Sequence, residues 1–491
     1  MTIPNNQFWT QTLFPFGGNE AFDRFGTSLI GGDFNGDGRG DLAIGTPNED
    51  VGGDINTGKV NAGKVNVLQG SSTGLTSIGS QLWEQDNLAG SSTEAYDRFG
   101  DTLISGDFNG DGYDDLAVGT PDEDWGSIKD TGIVNIINGS FFGLTSTGNK
   151  FFTQTAFPQG SDEADDRFGS SLAAGDFDGD GYDDLAIGAA YEDIDGNSDV
   201  GKVNVLQGSS TGLTSFGSQL WEQNNLSGSS NEAFDRFGET LTSGDFNGDG
   251  YDDLAIGTPD EDLGSIIDTG IVNIINGSFF GLTSTGNKFF TQTAFPQGGD
   301  EAGDRFGSSL AAGDFDGDGY DDLAIGAPYE DWIGTDAGKV NTLYGSATGL
   351  TSTGSQFWTQ DDLIVSNSEA FDRFGTTLAV GDFNNDGYDD LAVGSPNEDI
   401  DSITDAGAVN IIYGSVFGLT TTGNQFWSQD SFGVNDIAEE YDNFGSSLAV
   451  QDFNGDGYDD LAIGVPGEDL GGIINSGATQ ILYGSAIGLV V

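Results

Sequence analysis

The stretch DFNGDGRGDLAIGTP, Asp33–Pro47, decides the fold. An acidic or amide side chain stands at every second position, a glycine follows, and another aspartate closes the run. That is the spacing of an oxygen-ligand loop for a hard cation such as Ca²⁺. It runs straight into DLAIG, a short apolar segment with a β-branched residue that reads as a buried strand. The pattern returns at DFNGDGYDD (Asp107–Asp115) and DFDGDGYDD (Asp176–Asp184), then from Asp245, Asp314, Asp382 and Asp452. The first aspartates lie 74, 69, 69, 69, 68 and 70 residues apart. Seven copies in register make the chain an array of one unit, and a repeat overrides any domain count from length.

Working outward from the loop, each unit supplies four strand-like segments. They are FGTSLIGGD (Phe25–Asp33), the DLAIGTP segment, GKVNVLQG (Gly63–Gly70) and SQLWEQ (Ser80–Gln85). We name these strands A to D. Each is bounded by glycine, 81 glycines punctuate the chain, and no useful helical period occurs. Four strands per unit, with a period too long for a β-solenoid, predict an all-β, seven-bladed β-propeller with four antiparallel strands per blade. The repeats fall at about 13–90, 91–158, 159–227, 228–296, 297–364, 365–432 and 433–491, within a single domain spanning 1–491. The last repeat ends after its third strand, TQILYG (Thr479–Gly484). The chain opens with NQFWTQ (Asn6–Gln11), which closely matches the sixth unit's fourth strand, NQFWSQ (Asn424–Gln429). The segment at 5–12 is therefore expected to complete the last blade and close the ring. Thr131–Gly160 and Thr269–Gly298 are identical, so alternate units look like duplicates of a two-blade block.

Composition limits the chemistry. Eighty acidic and 14 basic residues give a net charge of −66, which repels nucleic acid and anionic membranes. With 35% hydrophobic residues, including 35 Phe and 7 Trp, the chain has the material for cores. It contains neither Cys nor His, so metal binding must rely on oxygen ligands, favouring Ca²⁺ over Mg²⁺ or Mn²⁺. No apolar run of about 18 residues exists, so membrane insertion is not expected. The opening MTIPNNQFWTQTLFPF does not read as a secretory leader.

The assigned ligands of the first loop are Asp33, Asn35, Asp37 and Asp41, with Arg39 giving its carbonyl. The second uses Asp107, Asn109, Asp111, Tyr113 and Asp115, and the third Asp176, Asp178, Asp180, Tyr182 and Asp184. The fourth uses Asp245, Asn247, Asp249, Tyr251 and Asp253, and the fifth Asp314, Asp316, Asp318, Tyr320 and Asp322. The sixth uses Asp382, Asn384, Asp386, Tyr388 and Asp390, and the seventh Asp452, Asn454, Asp456, Tyr458 and Asp460. In each, the seventh residue gives only its carbonyl. Asp, Asn and Gly also favour plain turns, but seven loops of uncompensated carboxylates would repel themselves. About seven Ca²⁺ ions acting as structural staples are expected. Ninth-position Asp in place of a twelfth-position Glu, with no flanking helices, excludes an EF-hand, and the long period excludes nonapeptide calcium repeats.

Phe-Gly, then DxDxDGxxD, then Gly-x-Pro in every unit but the third, which has Ala190, resembles the FG-GAP repeat of the propeller at the head of integrin α chains. The resemblance covers essentially the whole chain. It implies Ca²⁺ in the A–B loops and a role in adhesion or ligand recognition. The expected partner is a protein or glycan at the cell surface or matrix. The protein is then extracellular or surface-bound, a monomer, and no enzyme. A multivalent lectin with pockets between blades is the alternative. Less favoured are an envelope or matrix component and a carboxylate-dependent glycan-cleaving enzyme. Integrins keep the metal loop in only a few blades, whereas all seven units keep it here.

Other features are weighed in the same way. Six arginines in DRFG (Arg24, Arg98, Arg167, Arg236, Arg305, Arg373) are expected to pair with Glu-Asp dipeptides of the B–C connections, from Glu49-Asp50 to Glu468-Asp469. Arg39-Gly40-Asp41 spells an adhesion tripeptide whose aspartate the metal loop should occupy. Trp125 and Trp332 are expected to pack rather than bind sugars. The first B–C connection, near Asp54–Asn61, is the longest.

Overall fold

The computed structural model describes residues 6–14, 18–52, 59–158, 160–296, 298–332, 334–364 and 367–491. It contains seven four-stranded antiparallel sheets, each in the order A-B-C-D. In the first blade the strands are Ser28–Gly32, Asp41–Thr46, Lys64–Gln69 and Thr76–Trp83. Ile44 faces Leu29 on one side and Asn66 on the other. The C–D pairing shifts register between Val67 and Gln69, a bulge that bends the outer strand. The same shift recurs between Ile136 and Asn138 and between Val205 and Gln207 in the next two blades. Among the described residues, helix is confined to three-residue 3-10 turns after strand D, such as Gln85–Asn87. No helix among the described residues is long and apolar enough to cross a membrane.

The ring closes as expected. Gln7–Trp9 pairs antiparallel with Ala478–Leu482, with Gln7 opposite Ile481 and Trp9 opposite Thr479. It thereby becomes strand D of the seventh blade. Asn6 also donates its side-chain amide to the Gly433 carbonyl at 2.6 Å. An axial cavity of about 350 Å³ is lined by the starts of all seven A strands, from Ser28 and Thr102 round to Ser447.

Strand B is buried along its whole length in every blade. A strand covered on both faces needs a continuous apolar run, and DLAIG supplies one. The cores lie between blades rather than within them. One cluster joins Phe108, Ala117 and Val134 of blade 2 to Leu185, Ile187 and Leu206 of blade 3. Another joins Phe25, Leu42 and Leu68 of blade 1 to Phe453, Ala462 and Ile481 of blade 7. A lone blade could not bury its faces, so stability belongs to the closed ring.

The Phe-Gly and Gly-x-Pro motifs form the joint between consecutive blades. The first Ser or Thr of strand A donates to the carbonyl of the next blade's Phe-Gly glycine. Ser28 reaches Gly100, Thr102 reaches Gly169, and so on to Ser447 and Gly26, all at 2.6–2.7 Å. The glycine of Gly-x-Pro leaves room for this approach, since a Cβ on Gly45 would strike both Ser28 Oγ and the Gly100 carbonyl. All seven motif phenylalanines, Phe25 to Phe444, are fully buried.

Candidate functional site

The A–B loops all occupy one end of the sheets, opposite the D–A and B–C connections. Each is shaped before any ion is considered. Asp33 takes the backbone N–H groups of Asp37 and Gly38 on its two carboxylate oxygens, at 3.0 and 2.8 Å. Gly38 has φ +79°, which lets the chain double back. The fifth-position aspartate accepts the seventh residue's N–H at 3.1–3.2 Å in all seven loops. The ninth-position aspartate accepts the N–H of the glycine ending strand C, at 2.7–2.9 Å. Strand C thus fixes the deepest carboxylate of the loop.

In the third and fifth loops, carboxylate oxygens of Asp176, Asp178 and Asp180, and of Asp314, Asp316 and Asp322, lie within 4.8 Å of one another. In the other five loops an asparagine takes the third position, and in the sixth and seventh its amide nitrogen is 3.4 Å from the ninth-position carboxylate. In the first, second and fourth it sits closer, at 2.9–3.1 Å, as Asn35 does at Asp41. Burial raises the ninth-position carboxyl groups, helped by the loop's other aspartates. Asp41, Asp115 and Asp253 reach about 7, Asp184, Asp322 and Asp390 about 8, and Asp460 about 9. None of these seven aspartates forms an ion pair among the described residues. No backbone N–H among the described residues is donated to the carbonyls of Arg39, Tyr113, Tyr182, Tyr251, Tyr320, Tyr388 or Tyr458. Oxygen donors around a buried, uncompensated carboxylate suit a hard divalent cation.

Sequence reading missed the eighth position. Asp114 accepts the backbone N–H of Asp33 in the preceding blade's loop, and five further aspartates from Asp183 to Asp459 do the same, at 2.7–3.0 Å. The return bond, such as Asp114 N–H to the Asp33 carbonyl, is 3.0–3.3 Å. The seventh-position side chains serve the same contact. The Tyr113 ring lies where a Cβ on Gly36 would sit, and Tyr182 covers Gly110 likewise. The Asp-Asp doublet in six of the seven motifs was the available signal.

On the opposite face one expectation is corrected. The arginines do not pair with the Glu-Asp dipeptides. Arg98 and Arg167 share Asp122 at 3.3 and 3.4 Å, and Arg236 and Arg305 share Asp260 at 3.0 Å each, one residue before the dipeptide. Where tyrosine takes that position, the guanidinium groups stack on it. Arg167 and Arg236 flank Tyr191 at 4.8 Å, and Arg305 and Arg373 flank Tyr329. The dipeptides are already engaged. Asp124 accepts the Asp130 N–H, while each glutamate takes the side chain of a glutamine from the preceding D strand, from Gln11–Glu49 to Gln429–Glu468, at 2.5–2.7 Å. Asp41 is fully buried, so Arg39-Gly40-Asp41 cannot present its carboxylate to a receptor. Trp125 and Trp332 pack on Phe151 and Phe357, with ring centroids 5.4 Å apart. Residues 53–58 of the longest B–C connection lie outside the described residues.

Comparison with known proteins fits this architecture. The FG-GAP repeat model matches residues 25–68, 99–136, 168–206, 237–272, 306–340, 374–411 and 444–482. The chain belongs to the FG-GAP repeat family. It is 32% identical over 272 residues to integrin alpha-PS2 of Drosophila melanogaster, covering 54% of this chain and 17% of that protein. It is 36% identical over 174 residues to integrin alpha-4 of Xenopus laevis, covering 35% of this chain and 15% of the relative. It is 28% identical over 399 residues to phosphatidylinositol-glycan-specific phospholipase D of Bos taurus, covering 79% and 44%. The chain thus spans less than half the length of each of these relatives.

Proposed function

We propose that this protein is a non-catalytic recognition module whose blades are held by about seven calcium ions, one in each A–B loop. The observation that carries this reading is the sevenfold repetition of a buried ninth-position aspartate without a cationic partner. The side chains of the first, third, fifth and ninth residues, with the seventh carbonyl, would hold the ion; in blade 1 these are Asp33, Asn35, Asp37 and Asp41, with the carbonyl of Arg39. The ion neutralises the loop and keeps its edge of the blade folded. Extracellular calcium suits weak modular sites of about 10⁻⁴–10⁻³ M, which supports a location outside the cell or on its surface. Its relatives' names point both to integrins and to a phospholipase, so they share the repeat region and not one activity. The first-, fifth- and ninth-position carboxylates recur in all seven loops, whereas catalysis needs a few unlike groups in unlike surroundings. The test is melting with and without chelator, followed by a matrix-protein binding screen in calcium buffer. A melting temperature that ignores chelation would defeat the staple.

A second reading, a lectin, is favoured by one groove. A cavity of about 650 Å³ between blades 1 and 2 brings Asn35, Asp37, Gln69 and Thr73 beside Ile78, Phe141 and Phe142. The two phenylalanines are 72% and 85% exposed, edge to face at 5.1 Å. Open aromatic rings beside amide and hydroxyl groups suit a sugar ring with its hydroxyls. A glycan array on wild type and Phe142→Ala checks this reading, and identical profiles would count against it.

A further inference from the structure

Blades 1, 3 and 5 carry a lysine at the start of strand C, and the third of these sits in different surroundings. In blades 1 and 3 the lysine is an ordinary ion-pair partner. Lys64 Nζ donates to Glu49 at 2.9 Å with Glu84 3.6 Å away, and Lys202 Nζ donates to Glu192 at 2.5 Å. Their side chains keep 13% and 12% exposure. In blade 5, Thr359 stands where blade 1 has Glu84, and Trp332 stands where it has Val51. Lys339 is 0% exposed there. Its Nζ lies 3.6 Å from Glu330 Oε1 and has no hydrogen-bond partner among the described residues. The Trp332 and Phe357 rings cover it, with centroids 4.9 and 5.1 Å from the nitrogen. A buried ammonium whose three N–H groups find no acceptor is costly, and losing its charge relieves that cost.

The groups around Glu330 are those that acyl transfer requires. Gln292 Nε2 donates to Glu330 Oε2 at 2.6 Å, which fixes that oxygen and leaves Oε1 on the lysine side. Asp304 is buried and shares a hydrogen bond with Glu330. Burial and the Glu330 charge raise the Asp304 carboxyl, so Asp304 carries the proton of that bond. Its Oδ2 accepts the Glu301 N–H at 2.9 Å, which holds it in place. Amine, carboxyl, oxyanion donor and acid therefore meet in a space closed to water.

We propose that Lys339 and Glu330 join in an isopeptide bond, a covalent staple between the start of strand C and the B–C connection of blade 5. A proton first passes from the ammonium to the Glu330 carboxylate, because burial favours the neutral pair. The amine lone pair then attacks Glu330 Cδ, and the charge that develops on Oε2 meets the Gln292 N–H. Oε1 takes a proton from Asp304 and leaves as water. Asp304 recovers a proton from Nζ, which becomes the amide nitrogen. One C–N bond forms, one C–O bond breaks, and no oxidant, reductant or second reactant is needed. The step runs once per chain and does not depend on the A–B loops.

Denaturing mass spectrometry of the full chain, followed by trypsin, tests the bond. The wild-type chain should be lighter than its sequence by one water. The tryptic peptide 306–373 should stay whole, because trypsin does not cut after an acylated lysine. Lys64 and Lys202, which remain ion-paired, should be cut normally in the same digest. Lys339→Met should show its full sequence mass. Asp304→Asn keeps the shape but not the proton, and should lose most of the uncut peptide. The wild-type readout stands whether or not either variant folds. A wild-type chain cut after Lys339, or a water loss that persists in Lys339→Met, overturns the proposal.

Discussion

Six blades are each built from one continuous stretch of chain, whereas blade 7, at the seam with blade 1, takes its fourth strand from the other end of the chain and joins it to the third only by contact. Comparing them separates what connectivity does from what packing does. The hydroxyl-to-glycine bond is the same at the seam, Ser447 to Gly26 at 2.7 Å, as inside the ring. The glutamine bridge is the same too, Gln11 to Glu49 at 2.7 Å. The loop clasp differs. Blade 1 has Gly40 where the other loops have their eighth-position aspartate, and blade 7 has Gln451 where the other A strands end in glycine. A Cβ on Gly40 would strike the Gln451 side chain, so glutamine fills the space that the missing carboxylate leaves. Gly40 N–H donates to the Asp452 carbonyl at 2.9 Å and keeps one of the two clasp bonds. The seam is therefore the same joint with one element exchanged between partners, and the three-residue strand Gln7–Trp9 ties the two ends of the chain together.

The largest test of this comparison removes that strand. Deleting residues 1–12 should replace the single cooperative melt, followed by circular dichroism, with a broad loss of structure, because the Ala478–Leu482 edge and the shared core with Phe25 are both opened. An unchanged melt would mean that packing alone closes the ring. Next come Gly45→Ala inside the ring and Gly464→Ala at the seam, each lowering stability by about 1–3 kcal/mol through overpacking. Each Cβ would meet a strand-A hydroxyl and a Phe-Gly carbonyl, Ser28 and Gly100 or Ser447 and Gly26. Unequal losses in denaturant titrations would show that the seam carries a different load.

The clasp exchange is open to a double-mutant cycle. Gly40→Asp alone should cost about 1–3 kcal/mol by collision with Gln451, and adding Gln451→Gly should restore most of it. Additive losses would show that the two positions are uncoupled.

A pH series sharpens the contrast further. At the seam's blade 7, burial and nearby carboxylates raise Asp442 to about 6 and Glu468 to about 9. A carboxyl whose folded value lies above its unfolded one contributes its full stability below the unfolded value and loses it as pH rises through the folded one. In chelator the melting temperature should therefore fall between about pH 4 and 9, and Ala478→Lys, which copies Lys64 of blade 1, should flatten the slope. The smallest effect belongs to Arg98→Ala. The side chain is 37% exposed, so about 0–1 kcal/mol should be lost in urea melts.

The blade count, the four strands, the closing strand and the loop positions were legible because each follows from local chemistry. Short apolar runs end at glycines, and the N-terminal NQFWTQ repeats a known outer strand. What was not legible depends on atoms a blade apart. Asp114 looks like a spare ligand until Asp33 of the previous loop is placed against it. Gln85 and Glu123 lie 38 residues apart, and nothing local announces that they meet. The arginine expectation named the right face but missed by one position, since the glutamate turns inward to its glutamine and leaves Asp122 outward. The paired departures at Gly40 and Gln451 were visible in the sequence, yet only the closed ring makes them neighbours.

The hydroxyl-to-glycine joint has an architectural implication. Each junction is built from groups that every unit carries on both flanks, so inserting or excising a whole unit would leave every donor with an acceptor. Chemistry alone would accept a wheel of six or eight. The number seven must then be set by shape, through the angle at which Gly45 and its six counterparts let one blade lean on the next.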